Sequence, residues 1–109
     1  MFGRNSRNFA IGQSEFVEKA REGAHIIDVR SPQEFKEGSM KNARNIPVNQ
    51  LAAHLDEFKK YADKNETVLL YCLSGARSKM ACRFLDKQGL ADGIFDLQGG
   101  IAQWSGPLK

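Results

Sequence analysis

Cysteine is scarce in this chain, which has two among its 109 residues, Cys72 and Cys82. Two cysteines are too few for the disulfide framework that stabilises many small secreted domains. His25 and His54 stand far from both cysteines in sequence, so no four-ligand zinc set is expected. The sequence therefore predicts a domain that folds with no disulfide, metal ion or cofactor.

Long apolar runs and an excess of one charge are also lacking. No segment approaches the ~20 consecutive apolar residues of a membrane span, and no apolar block of signal-peptide length follows residues 1–8. The 16 basic and 13 acidic residues alternate along the chain, unlike the basic stripe of a nucleic-acid-binding protein. We therefore expect a cytoplasmic protein whose partners include neither a membrane nor a nucleic acid. The composition is compatible with anionic small molecules as ligands.

Apolar residues make up 41% of the chain, enough for one domain with a layered core. We expect a flexible N-terminal segment over residues 1–12 and a single domain over 13–109. A short extended segment is expected at 45–47. Three apolar runs are typical of buried strands, at 24–29, 67–71 and 93–97. Helical patterns separate these strands, which predicts parallel pairing and an α/β sandwich.

Capping residues and apolar spacing indicate the helices. Ser14 is expected to cap the first helix, and Ser31 opens a short second one in a capping box with Glu34. Asn49 is expected to cap a third helix, which buries Leu51, Leu55, Phe58 and Ala62. A fourth helix, from about Ser78, is expected to bury the stripe Met80, Ala81, Phe84 and Leu85.

Cys72 stands at the end of the strand predicted over 67–71, in a short loop that opens a helix. Backbone N–H groups converge at such a position, and the positive end of the helix dipole lies nearby. Both favour the thiolate, the nucleophilic form of cysteine. Arg77 adds a full positive charge, and Gly75 permits a positive φ or close approach of the backbone to the sulfur. The sequence therefore predicts a catalytic nucleophile at Cys72 and a substrate-binding loop formed by Leu73, Ser74, Gly75, Ala76 and Arg77.

Several short motifs follow one another at characteristic spacings. They are Ile27-Asp28-Val29-Arg30-Ser31-Pro32-Gln33-Glu34-Phe35, Gly38, Ala43-Arg44-Asn45-Ile46-Pro47, the loop from Cys72 to Arg77, and Gly99-Gly100 with Trp104. Together they resemble the rhodanese-like domain, from about Gln13 to Trp104. The resemblance implies a central parallel β-sheet of about five short strands with helices on both faces. It also implies a cysteine that carries sulfane sulfur as a persulfide.

The resemblance further implies an enzyme, a sulfurtransferase of the thiosulfate:cyanide type. Cys72 would take sulfur from a small anionic donor and pass it to a thiol or to cyanide. Some thiosulfate-using members carry basic side chains where this chain has Leu73 and Ser74. An apolar loop residue suits contact with a protein. A second hypothesis is therefore a relay or regulatory binding module that passes its persulfide to a protein acceptor, with little small-molecule turnover.

The length of the cysteine loop bears on a third function class. Four residues, Leu73–Ala76, separate Cys72 from Arg77. Cell-cycle dual-specificity phosphatases have a similar fold with a loop one residue longer. A phosphate group needs a wider cradle than a single sulfur atom. The shorter loop therefore favours sulfur over phosphate or arsenate.

Three further residues have expected roles near this loop or in the core. Asp28 and Arg30 are expected to support the site, Asp28 by pairing with loop amides and Arg30 by pairing with Glu34. A catalytic acid is the alternative role for Asp28. Cys82 is expected to fill space beside the buried helix stripe. The alternative, a resolving thiol for Cys72, requires the two sulfur atoms to lie close together.

Overall fold

The computed structural model describes residues 8–108, in which short strands alternate with helices. The strands are β1 (Ala10–Ile11), β2 (His25–Asp28), β3 (Ala43–Asn45), β4 (Val68–Tyr71) and β5 (Ile94–Leu97). The α-helices are α1 (Gln13–Arg21), α2 (Pro32–Glu37), α3 (Leu55–Asp63) and α4 (Ala76–Lys87). Two 3₁₀ helices cover Val48–His54 and Ile101–Gln103.

The five strands form one parallel sheet in the spatial order β1-β5-β4-β2-β3. Strand β4 is central, and its carboxyl end lies beside that of β2, with Asp28 opposite Tyr71. Ligands of open parallel sheets bind beyond the carboxyl ends of the strands. The predicted α/β fold with a five-stranded parallel sheet is confirmed, and the sheet brings Asp28 and Cys72 to one edge.

Alternate residues of β4 point to opposite faces of the sheet, and each face has its own apolar core. Leu70 belongs to a cluster with Phe58 of α3 and Leu85 of α4. Leu69 belongs to a second cluster, with Phe16 of α1. Burying one such side chain contributes about 1.5–3 kcal/mol, so both faces stabilise the sheet. Helices therefore cover both faces, as expected.

The amino-terminal part of the sheet differs from the expectation of a flexible segment over residues 1–12. Phe9 is buried, and β1 pairs with Asp96 and Leu97 of β5. Two residues are too short a run for the apolar alternation that predicts a strand, and pairing with β5 determines this one. Residues 9–11 therefore belong to the sheet and its core. Residues 1–7 and 109 lie outside the described part of the chain.

Two helix starts differ from the sequence prediction. Ser14 lies inside α1, because the Phe16 amide donates to the Gly12 carbonyl and so makes Gly12 the N-cap. The helix expected from Asn49 is divided. Its first part is 3₁₀, beginning where the Gln50 amide donates to the carbonyl of Pro47, three residues back. In contrast, the capping box of Ser31 with Glu34 at the start of α2 is confirmed.

Within residues 8–108, no helix has the length and apolar character that crossing a bilayer requires.

Candidate functional site

Cys72 follows β4 directly, at the carboxyl edge of the central strand. Strand alternation places it on the same face as Val68 and Leu70, in the core cluster under α3 and α4. Its exposed fraction is 1%. The sulfur therefore lies beneath the loop that joins β4 to α4.

Two backbone N–H groups of this loop point at the sulfur. The Gly75 amide donates to Cys72 Sγ at 3.1 Å, and the Ser78 amide donates to it at 3.3 Å. Gly75 is the N-cap of α4 with φ of +105°, a left-handed conformation that glycine adopts without strain. Helix α4 begins at Ala76, so Arg77 and Ser78 stand in its first turn, where amides lack an acceptor within the helix. The arrangement favours negative charge on Sγ.

The outer side of the loop faces solvent. Leu73 has an exposed fraction of 46%, and Ser74 and Ala76 are exposed as well. Gly75 and Arg77 are half-buried. A buried sulfur therefore sits behind a short exposed loop, with an apolar side chain next to it in sequence.

The turn after β5 holds the backbone of the cysteine loop through hydrogen bonds. The amides of Ile101 and Ala102 donate to the carbonyls of Cys72 and Leu73, both at 2.9 Å. Gly100 has φ of +66°, and a Cβ atom there would lie 2.7 Å from the Cys72 carbonyl oxygen. Only glycine lets the two backbone segments come this close. This turn therefore fixes the backbone on either side of Sγ.

Arg77 is bound by Glu34 of α2. Its Nη1 and Nη2 donate to Glu34 Oε1 and Oε2 at 2.7 and 3.0 Å. The hydrogen bond from Arg77, together with that from the Ser31 amide, lowers the pKa of Glu34 from 4.5 to about 2. The same pairing raises the pKa of Arg77. The expectation that Arg30 pairs with Glu34 is therefore wrong, because Arg77 takes both carboxylate oxygens.

Arg30 pairs instead with Asp28, and both are buried. Arg30 Nη2 donates to Asp28 Oδ2 at 2.7 Å, and Nε donates to Oδ1 at 3.0 Å. The Arg30 amide also donates to Asp28 Oδ1, at 2.9 Å, so the carboxylate binds its own turn rather than the cysteine loop. Arg30 Nη2 reaches the Gly38 carbonyl as well. This pair fixes the turn after β2 beside the site.

Two residues near the sulfur were not among the predicted site residues. Ser78 Oγ lies 3.6 Å from Cys72 Sγ and 3.0 Å from Oδ2 of Asp96 in β5. Both Ser78 and Asp96 are buried. Asp96 is a carboxylate within the apolar run 93–97, which is unusual enough to suggest a functional role. Its distance in sequence from Cys72 gives no indication that the two residues lie close together.

A groove of about 480 Å³ lies beside the loop, between α4 and the edge formed by β1 and β5. Its lining includes Gly75, Asp96 and the basic residues Lys79 and Arg83. Met80 also lines it and has an exposed fraction of 58%. Its expected burial is therefore wrong, because α4 presents this side chain to the groove rather than to the core. Cys82, in contrast, is buried in the core, and neither it nor Cys72 forms a disulfide.

Among residues 8–108, no group of three or more His, Cys, Asp or Glu side chains could hold a metal ion. The polar groups around Cys72 are backbone amides, a hydroxyl and a guanidinium–carboxylate pair. Such groups hold an anion rather than a cation.

Fold and loop place the chain among parallel α/β proteins that carry a cysteine at the end of the central strand. The chain belongs to the rhodanese-like family, whose domain matches residues 13–107. Among its relatives, the YqhL protein of Bacillus subtilis (strain 168) is 40% identical over 86 residues. That match covers 79% of this chain and 64% of YqhL, so the chain spans just under two thirds of that protein.

Two other relatives are similar over more of their own length. The thiosulfate sulfurtransferase GlpE of Pseudomonas putida (strain KT2440) is 31% identical over 79% of this chain and 74% of GlpE. The crystal structure of a rhodanese-related protein from Thermoplasma volcanium has a TM-score of 0.71 and 31% identity. The structural match covers 92% of this chain and 96% of the Thermoplasma volcanium chain. Sulfurtransferases are thus established members of the family to which this chain belongs.

Proposed function

We propose that this protein is a sulfurtransferase that carries a sulfane sulfur on Cys72 as a persulfide. The two amides at 3.1 and 3.3 Å from Sγ carry this proposal, because they stabilise a thiolate without a metal or a neighbouring histidine. The name of the GlpE relative supports thiosulfate as one donor class. The short loop supports sulfur rather than phosphate as the transferred group.

The reaction has two displacement steps. The Cys72 thiolate attacks the outer sulfur of the donor, and an S–S bond forms at Sγ. The bond between that sulfur and the donor breaks, and its electron pair leaves with the donor's remainder, which is sulfite when the donor is thiosulfate. A thiol or cyanide then attacks the outer sulfur, and the electron pair of the S–S bond returns to Sγ.

The loop has different consequences for different donors. Arg77 is already paired with Glu34, so a dianionic donor meets backbone amides and a half-neutralised cation. Leu73, which follows Cys72 in the chain, offers no charge. Slow turnover of thiosulfate relative to less charged sulfane-sulfur donors is expected.

The exposed Leu73 favours the second candidate, a relay that passes the persulfide to a protein acceptor. An apolar side chain with 46% of its surface exposed, on the residue that follows Cys72 in the chain, can contact a partner surface. In that case Cys72 loads with sulfur as fast as in an enzyme, but cyanide and small thiols remove it slowly.

Intact-mass measurement after incubation with thiosulfate or a polysulfide tests the proposal. The protein should gain the mass of one sulfur atom. Cys72→Ala should gain none, and Cys82→Ala, the matched control, should load normally. Cyanide and aryl phosphate assays rank the function classes. Release of phosphate without sulfur uptake, or sulfur uptake by Cys72→Ala, would overturn the proposal.

A further inference from the structure

Ser78 connects Cys72 to a buried carboxyl group. The thiol of Cys72 donates to Ser78 Oγ at 3.6 Å, and Ser78 Oγ donates to Asp96 Oδ2 at 3.0 Å. The Gly75 carbonyl, at 3.2 Å, is the other acceptor near this hydroxyl. A hydroxyl donates one hydrogen bond at a time, and the carboxylate is both closer and charged. The three groups therefore form a continuous chain of hydrogen bonds that starts at the sulfur.

Asp96 lies in surroundings that favour uptake of a proton. Its exposed fraction is 2%, and burial raises its pKa. The hydrogen bond from Ser78 opposes this effect on the pKa, as does the charge of Lys79 of α4, and Arg83 of α4 lines the same groove. From β1 and the turn after β5, the neighbours are the uncharged residues Ala10, Gln98 and Gly99. Of the described residues that line the groove with Asp96, the charged ones are thus these two cations, and no second carboxylate is among them.

We propose that Asp96 accepts the proton of Cys72 through Ser78 and so generates the thiolate. The S–H bond of Cys72 breaks as a new O–H bond forms at Ser78 Oγ. The original O–H bond of Ser78 breaks as one forms at Asp96 Oδ2. The negative charge moves from the carboxylate to Sγ, and the net charge of the three groups does not change. Asp96 is a positioning residue in this step, since of Ser78 and Asp96 it is Ser78 that contacts the sulfur.

This inference rests on the proposed function for its role in sulfur transfer. It supplies the base that the loop sequence lacks. When the acceptor removes the outer sulfur, the electron pair returns to Sγ and the proton on Asp96 can follow it back. The proton thus stays within the site during one cycle of loading and unloading.

The relay and a simple charge effect predict different results for Asp96→Asn. An Asp96 that is ionised while Cys72 still holds its proton would repel a thiolate, so its removal would increase the thiolate fraction in mildly acidic buffer. A proton-accepting Asp96 is already neutral when the thiolate forms, so replacing it with the neutral Asn should leave that acid-side thiolate fraction nearly unchanged. At alkaline pH both proteins are fully deprotonated and should react alike.

Alkylation of Cys72 by iodoacetamide, followed against pH by peptide mass spectrometry, tests this directly and needs no sulfur donor. The unmodified protein should show two ionisation steps. Asp96→Asn should show one, at the pH of the first step of the unmodified protein, and in mildly acidic buffer the two proteins should react at nearly the same rate. Ser78→Ala removes the hydroxyl that links the two groups and should move thiolate formation to higher pH. Asp63→Asn, which removes an exposed carboxylate, is the control and should keep both steps.

Faster alkylation of Asp96→Asn at acid pH would overturn the proposal, because it would show that Asp96 is ionised while Cys72 still holds its proton. Should Asp96→Asn fail to fold, infrared spectroscopy of the unmodified protein gives a second measurement. The carbonyl stretch of a protonated carboxyl should accompany the thiolate and disappear when Cys72 is alkylated. Its absence would also overturn the relay. Because sulfur loading is measured separately, failure of the relay and failure of the sulfurtransferase proposal are distinguishable.

Discussion

Arg77 and Glu34 join the cysteine loop to the first turn of α2 through two parallel hydrogen bonds. The loop cation is therefore already balanced by a carboxylate before any substrate arrives. Stabilisation of an anionic sulfur then depends chiefly on the Gly75 and Ser78 amides. The pair also ties α2, which follows β2, to the helix that follows β4.

The first prediction concerns acid stability. The hydrogen bonds from Arg77 and from the Ser31 amide lower the pKa of Glu34 from 4.5 to about 2, so the folded state holds this proton less tightly than the unfolded state. The resulting stability is fully present above pH 4.5 and is lost as the pH falls towards 2. After solvent screening of this half-exposed pair, we expect Glu34→Gln to lower the free energy of unfolding at neutral pH by about 1 kcal/mol. Urea denaturation at several pH values measures it.

The control for this prediction is a double-mutant cycle with Arg77→Met. If the pair is responsible, Glu34→Gln should cost little once Arg77 is absent. The difference between Glu34→Gln and the unmodified protein should also shrink as the pH approaches 2. A difference that is constant over this range would assign the effect to the capping box alone.

The second prediction concerns Gly100. A side chain there needs a φ of +66° and meets the Cys72 carbonyl at 2.7 Å. We expect Gly100→Ala to destabilise the protein by at least about 2 kcal/mol and to reduce sulfur loading of the folded fraction. Gly12→Ala is the matched control, since no atom lies within 4 Å of a Cβ at that position. Thermal unfolding and intact mass after sulfur loading give the two results, and equal behaviour of the variants would contradict the prediction.

The third prediction concerns the buried pair of Asp28 and Arg30. Asp28→Asn leaves the Arg30 guanidinium buried beside a neutral partner, so we expect a loss of about 3 kcal/mol in the free energy of unfolding. Replacing both residues, with Asn at 28 and Met at 30, should recover part of that loss because no charge is left unpaired. Chemical denaturation compares the three proteins. A double variant less stable than Asp28→Asn would show that the pair contributes more than mutual neutralisation.

The fourth prediction concerns donor choice. A cation at the exposed position of Leu73 should attract a dianionic donor, so Leu73→Arg should raise kcat/KM for thiosulfate about fivefold, equivalent to about 1 kcal/mol for an exposed charge pair. A neutral organic persulfide should gain nothing. Leu108→Arg adds the same charge at another exposed apolar residue and is the control. Equal gains in the two variants would indicate general attraction rather than an effect of the loop.

Much of the fold could be predicted because its signals are local. Three apolar runs separated by helical patterns indicated the parallel sheet, and the Ser31 capping box predicted the start of α2. Strand β1 could not be predicted in this way, because two residues carry no periodicity. Met80 fitted a helical stripe, but its surroundings depend on the groove between α4 and the sheet edge.

The candidate site was predictable in its backbone and less so in its side chains. The glycine at position 75 and the strand-to-helix turn indicated the two amides at Cys72. The partner of Arg77 was not predictable, since Glu34 stands nearer in sequence to Arg30 and only the tertiary structure decides between the two cations. The connection from Asp96 through Ser78 to the sulfur was not predictable either, because it too depends on the tertiary structure.

The hydrogen bonds from Ile101 and Ala102 make the placement of Cys72, the proposed nucleophile, depend on residues that lie far from it in sequence. Heat or a protease that disrupts the hydrogen-bonded turn at residues 101–102 would displace Cys72 from its amide donors while the sheet is still folded. On heating, sulfur loading of Cys72 should therefore be lost at a lower temperature than that at which the sheet unfolds.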